Sequence, residues 1–295
     1  MNLDRKPLIS VIVCSIKPDE AELLAQNVAQ TVGLEHEMIV RDNRTDGKGI
    51  CKVYNECAEL AQGEYLCFVH EDVAFCTPEW GKKIVAKLSE TDCGVIGFAG
   101  STVKYGLRYG WQGIRRYTRK NYIASTPTKP GSLRTSADGQ DFAEVICLDG
   151  MCLCVRRDVW ERVRFDEESF PGFHSYDTDF TTAVCHAGYK NYVSYSVLVE
   201  HRSLGSFSRA WYESVEAYNK KWAKRLPLYV AEHSPSEVEA NATATEAFGL
   251  KLLIKNKILS REEARAEVFG FWRRNRFKLG SYGLIFKYLN TEYEK

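Results

Sequence analysis

Apolar residues come in short, dense runs over the first two hundred positions and in helical stripes after that. "LISVIVCSI" (Leu8 to Ile16) is nearly continuous, the pattern of a parallel strand covered on both faces. Acidic residues then open a segment over 19–31, where Leu23, Leu24 and Val28 recur at helical spacing. "EHEMIVRDN" predicts a second strand ending at Asp42. "GICKVYNECAELAQG" predicts a helix with Gly63 just beyond its end. "EYLCFVHED" reads as a third strand, "PEWGKKIVAKLSE" as a helix with Pro78 near its first turn, and "CGVIGFAG" as a fourth strand. This alternation predicts an α/β fold, a mostly parallel sheet with right-handed crossovers and helices on both faces. Ligands of such sheets bind beyond the carboxyl ends of the strands.

The pattern changes over 101–143, which is rich in Gly, Tyr, Arg, Thr, Ser and Pro and reads as an irregular functional loop or lid. Strand patterning resumes in "FAEVICLDGMCLCVRRDVW". "FHSYDTDFTTAVCHAGYKNYVSYSVLVEHRS" predicts an acidic turn, a short helix, a strand and then His201. From about residue 210 amphipathic helical segments run on. The expected organisation is an α/β domain over 1–209 and a helical C-terminal extension over 210–295.

The chain has 295 residues, 44% hydrophobic and 27% charged, as in a soluble globular protein. The net charge of +1 argues against a nucleic-acid partner. No apolar run approaches the roughly 18 residues that cross a bilayer, and no signal-peptide cleavage site follows the first apolar run. Ten cysteines sit mostly in apolar runs with no Cys-x-x-Cys spacing, so they read as reduced core thiols of a cytoplasmic protein. Cys152 and Cys154 would share a strand face, but two cysteines do not make a zinc site.

Candidate chemistry collects in four polar clusters: Asp42-Asn43-Arg44, His70-Glu71-Asp72, Asp177-Thr178-Asp179 and Glu200-His201. Each reads as the end of an apolar strand, the side on which such a sheet binds ligands. Carboxylate and imidazole ligate divalent cations. A diphosphate leaving group needs such a cation, and a further carboxylate can act as general base toward a hydroxyl. The plain alternative for each residue is a turn carboxylate, a helix cap or a structural histidine. Glu71 is expected to face away from its neighbours, because adjacent strand residues point to opposite faces.

Three segments carry a resemblance: "ISVIVCSI", "IVRDNRTDGKGICKVYNECAELAQGEYLCFVHEDV" and "LDGMCLCVRRDVWERVRFDEESFPGFHSYDTDFTTAVCHAGYK", followed by "VEHRS". In this order they resemble the family 2 glycosyltransferases of the GT-A nucleotide-sugar fold, from about Leu8 to His201. The "HED" and "FHSYDTDF" forms look most like a bacterial subgroup related to a streptomycin-biosynthesis protein. The resemblance implies a Mn²⁺- or Mg²⁺-dependent, inverting transfer from a nucleotide-diphosphate-sugar donor to a carbohydrate or lipid-linked acceptor, in polysaccharide or glycoconjugate synthesis. It implies that Asp72 and His201 hold the metal. It gives Asp42, Arg44, Asn55, His70 and Gly150 to the nucleotide-sugar, and Asp177 with Asp179 to catalysis.

Two positions depart from the family pattern: His70 replaces the first Asp of Asp-x-Asp, and Tyr176 replaces a Glu. Both keep open a catalytically weak nucleotide- or glycan-binding protein. A nucleotidyltransferase is disfavoured, since "CSIKPDEAE" has no Gly-rich phosphate loop. "KYGLRYGWQGIRRYTRKNY" (104–122) interleaves aromatics with Arg and Lys, as a phosphate- or acceptor-binding lid would. "FWRRNRFKLGSYGLIFKYL" (271–289) does the same in a region that, from residue 251 on, holds eleven Lys and Arg against five Glu, a net of +6. It would suit either a peripheral membrane contact at the inner face or a helix packed at a domain or homodimer contact.

Overall fold

A computed structural model describes residues 7–291 apart from 204, 206, 277 and 278. The elements are, in order, β1 (Ile9–Ser15), α1 (Pro18–Thr31), β2 (His36–Asp42), α2 (Ile50–Leu60), β3 (Tyr65–Val69), β4 (Val73–Phe75), α3 (Trp80–Leu88), β5 (Cys93–Gly97), β6 (Ala99–Ser101) and β7 (Val103–Lys104). Then come β8 (Thr118–Thr126), β9 (Lys129–Thr135), β10 (Phe142–Val145), β11 (Cys147–Leu148), β12 (Cys152–Arg156), α4 (Arg157–Val163), α5 (Tyr176–His186), β13 (Lys190–Ser194) and β14 (Val199–His201). The chain closes with α6 (Arg209–Trp222), β15 (Leu228–Tyr229), α7 (Pro235–Lys255), α8 (Arg261–Asn275) and α9 (Leu279–Leu289).

The main sheet runs β10-β13-β5-β12-β3-β1-β2. β1 pairs parallel with β2 and β3, and β13 parallel with β5, while β12 is antiparallel between β3 and β5. The continuous apolar runs are explained by cover on both faces. Val11 and Val13 pack with Leu24 and Val28 of α1 and Trp80 of α3, while Ile12 faces Val53 and Tyr54 of α2. Gly63 does not cap α2. A Cβ there would lie 2.6 Å from the backbone nitrogen of Ser10, so glycine lets the chain pass close to β1.

Residues 101–143 are not irregular throughout. They hold β7, β8, β9 and the start of β10, and β8 joins a second sheet ordered β11-β6-β8-β14-β4, with β9 on β8. β9 is exposed along its whole length and β8 is only partly buried. With no apolar face to cover, these strands show no hydrophobic alternation in sequence.

Three arginines of the segment are also occupied. Arg108 pairs with Glu216 and Glu267, Arg116 with Glu237, and Arg119 with Glu232. They staple the segment to α6, α7, α8 and the turn before α7 rather than waiting for phosphate. α6 bridges two cores: Tyr218 and Trp222 pack into that of the main sheet, and Trp211 and Val215 into that of α7–α9. Cys67 joins Cys152 and Cys154 on one sheet face with Sγ···Sγ distances of 3.6, 3.8 and 3.3 Å, and all three are buried among apolar side chains.

Candidate active site

The carboxyl ends of β1, β2 and β3 open into a pocket of about 590 Å³. Two protein segments, the β3–β4 turn and the end of β14, bring a histidine–aspartate–histidine group into it. His70 follows β3, with its N–H on the Met151 carbonyl at 3.0 Å. Asp72 lies in the turn into β4. His201 ends β14, and the antiparallel β4–β14 pairing sets His201 opposite Val73. One ligand atom from each of His70, Asp72 and His201 lies within 4.8 Å of the others.

Asp72 Oδ1 is buried without a hydrogen-bond partner, and His201 Nε2 stands 3.3 Å away at ion-pair distance. A buried carboxylate oxygen left unsatisfied is costly. An orphaned oxygen between two imidazoles therefore fits a divalent cation, and imidazole suits Mn²⁺ better than Mg²⁺. Burial, helped by the neighbouring His201, pulls His70 down to about 4, so its imidazole is neutral, the ligating form. Burial opposes the charged forms of Asp72 and His201 too, but their mutual attraction outweighs it. The carboxyl is held well below its usual range and the imidazole is raised.

His70 Nε2 lies 2.7 Å from the Tyr176 hydroxyl, which donates to the Gly150 carbonyl at 3.0 Å. The Tyr176 hydroxyl has one proton for these two acceptors, so the His70 tautomer sets which ring nitrogen keeps the lone pair. Tyr176 opens α5, and Ser175 before it is left-handed at φ 61°, a strained conformation for a residue with a side chain. The next residue, Asp177, accepts from the Gly150 N–H at 2.9 Å and the Thr178 N–H at 2.8 Å. Gly150 has no alternative here, since a Cβ would fall 2.1 Å from the Tyr176 oxygen. No cation pairs with Asp177 among the described residues. Burial, with the charge of Asp149 added, pushes its carboxyl up to about 7. A carboxyl raised that far can exchange a proton near neutral pH.

The other expected site residues lie elsewhere. Asp179 is buried against Lys221 Nζ and Trp222 Nε1, both at 2.8 Å, ties α6 to α5 and does not line the pocket. Asn55 is buried and holds the backbone of Phe165 through both ends of its amide. Asp42 and Arg44 are exposed at the rim and pair with each other at 2.6 Å, which lowers Asp42 to about 2; their neighbour Asn43 is the one that lines the pocket. The acidic 177–179 cluster opens a helix and does not end a strand.

Glu71 does not face away. It accepts from Ser15 Oγ and from the N–H groups of Ile16 and Lys17, both at 2.9 Å, tying down the end of β1 at the pocket wall. Asp149 and an aromatic wall are further lining residues. That wall includes Trp111, Phe173, Phe207 and Trp211, with the Phe207 and Trp211 rings 5.0 Å apart. Buried Lys104 holds the backbone of this wall through the Tyr109 carbonyl at 3.0 Å.

A mixed α/β sheet with three potential cation ligands gathered beyond its strand ends is the architecture of an α/β ligand-binding domain. Residues 10–222 match the model of the glycosyltransferase-like family, and the chain belongs to that family. It is a glycosyl-transferring enzyme. No curated protein matches the chain in sequence.

Two solved structures share the fold. One is the mannosyltransferase PcManGT from Pyrobaculum calidifontis in complex with GDP-Man and Mn²⁺, at TM-score 0.53 and 15% identity over 96% of this chain and 79% of that one. The other is S. aureus TarS 1–349 in complex with UDP-GlcNAc, at TM-score 0.50 and 15% identity over 97% and 93%.

Proposed function

We propose that this glycosyltransferase takes its sugar from a nucleoside diphosphate sugar and delivers it, with inversion, to a hydroxyl of a carbohydrate or lipid-linked acceptor. The observation that carries the reading is one pocket holding both a His–Asp–His cluster and a separate half-buried carboxylate with no cationic partner among the described residues. The ligands named for the two structural neighbours, a nucleotide sugar in each and Mn²⁺ in one, support the donor class.

His70, Asp72 and His201 would hold a divalent cation, with Mn²⁺ preferred over Mg²⁺. Such a cation, when bound, neutralises charge on a leaving diphosphate. Asp177 accepts the proton of the acceptor hydroxyl as its oxygen attacks the anomeric carbon. The Gly150 N–H keeps the carboxylate aimed, and the aromatic wall of Trp111, Phe173 and Trp211 offers ring faces for an acceptor sugar. The donor class and ten free cysteines support a cytoplasmic location.

A thermal-shift series of nucleoside diphosphates with and without Mn²⁺ tests the reading. Stabilisation should need both ligands, and Asp72→Ala should remove it. Equal stabilisation in the presence of a chelator and in Asp72→Ala would overturn the metal role.

A further inference from the structure

The last two helices present a surface that the proposed chemistry does not use. α9 buries Leu284 and Tyr288 against α7 and α8, and these two belong to one core with Val268 and Phe271 of α8. On its opposite side Tyr282, Phe286 and Leu289 stand 53%, 70% and 69% exposed, at helical spacings of four and three residues. They form one outward stripe.

α8 continues the stripe. Phe269 is 37% exposed, and half-buried Trp272 meets Tyr282 edge-on at 6.5 Å. Arg273 lies on the same face of α8 and has no carboxylate partner among the described residues, whereas Arg274 turns away to Glu246 at 2.6 Å. Lys287 flanks the α9 stripe and is exposed. From Val268 to Leu289 the sequence has five Lys and Arg and no Asp or Glu; of these, Lys278 lies outside the described residues.

We propose that the α8–α9 hairpin docks the protein on an anionic lipid surface, with Tyr282, Phe286 and Leu289 seated at the interface and Arg273 and Lys287 facing headgroup phosphates. An apolar, aromatic stripe whose charged residues from Val268 to Leu289 are all cations has the composition of helices that lie in the plane of a membrane surface. Charge complementarity selects this occupant. A second copy of the chain is disfavoured, because a two-fold contact sets a patch against itself and would bring like cations together. Neither helix spans a bilayer: no described helix is long and apolar enough. The inference does not rest on the glycosyl-transfer chemistry, and its test needs no substrate.

The test is flotation of the full chain with vesicles of phosphatidylcholine alone and of phosphatidylcholine mixed with phosphatidylglycerol. The chain should float with the anionic vesicles only, and less so as salt is raised. Phe286→Asp with Leu289→Asp should weaken flotation about tenfold or more, with the circular dichroism spectrum and melting temperature unchanged, since both side chains are exposed. Arg273→Glu with Lys287→Glu is the companion variant if the first melts early, and it should lose the preference for anionic lipid. No binding, equal binding to neutral vesicles, or binding indifferent to both pairs overturns the proposal. A dimer in solution that the first pair splits into monomers overturns it as well, by making the stripe a self-interface.

Discussion

The two sides of the pocket are built in different ways. On one side His70, Glu71, Asp72 and His201 stand at the ends of ladder-paired strands, and each is tied by hydrogen bonds or ion pairs to a neighbouring segment. On the other side Trp111 and Phe173 come from loops and Trp211 from α6, and Phe173 and Phe207 remain 55% and 38% exposed. A sheet fixes side-chain positions far better than loops do, so it suits groups that must meet a cation within tenths of an ångström. Loops and an added helix suit the part of a site that can vary with the molecule being modified. The polar side should therefore govern rate, and the aromatic side should govern which acceptor is used.

The hardest blow to the polar side is Asp177→Asn. General-base catalysis contributes on the order of 10²–10⁴, so kcat should fall by about a thousandfold with the KM for donor little changed. The same change should stabilise the fold. Asp177 has its folded pKa raised from 3.8 to about 7. Between those values the unfolded chain has released a proton that the folded chain keeps, so stability falls as pH rises through this window. Asparagine removes that dependence; its single amide oxygen can accept from the Gly150 N–H only by turning Nδ2 toward the Thr178 N–H, a cost that does not vary with pH. A melting temperature that rises at pH 7 but not near pH 4, together with lost turnover, would separate a base from a structural residue. In the wild type, turnover should climb with pH through about 7. A flat profile from pH 5 to 9 with chemistry rate-limiting would refute Asp177 as the base.

A smaller effect is expected at His70→Asp, which exchanges an imidazole for a carboxylate in the cluster. The carboxylate should shift cation preference from Mn²⁺ toward Mg²⁺, and it loses the imidazole contact to Tyr176. The ratio of Mn²⁺- to Mg²⁺-supported activity should drop about tenfold, the scale of an altered metal shell. An unchanged ratio would mean that His70 orients Tyr176 and Gly150 without touching the metal.

The same contrast explains what the sequence revealed. β1, β3 and β5 were readable because a sheet covered on both faces demands unbroken apolar runs. β8 and β9 were not, because backbone ladders hold them and no apolar face does. Asp177 and Asp179 are the same residue type on the same helical turn, and nothing local tells them apart. What separates them is Lys221 and Trp222, which α6 folds back onto Asp179 alone. The alternation rule misplaced Glu71 because β3 stops at Val69, so strand periodicity no longer applies two residues later. Arg108, Arg116 and Arg119 look like phosphate ligands by composition, and only their glutamate partners on α6, α7, α8 and the turn before α7 reveal them as staples.

The mildest change tests the aromatic side. Trp211 is mostly buried where α6 meets the pocket, its ring meets Phe207 edge-on, and a Cβ added at Gly110 would lie 3.6 Å from it. Trp211→Ala would remove a ring face worth about 0.5–1.5 kcal/mol in contact with an acceptor. It would also open a hole in the helical core, so Trp211→Phe is the cleaner probe, keeping a ring and most of the volume. For Trp211→Phe the KM for acceptor should rise about threefold to tenfold. Donor hydrolysis in the absence of acceptor should stay at the wild-type rate, because His70, Asp72 and Asp177 are untouched. If hydrolysis and transfer fall together in Trp211→Phe, the two sides of the pocket are coupled, and the aromatic wall supports the catalytic side instead of choosing the acceptor.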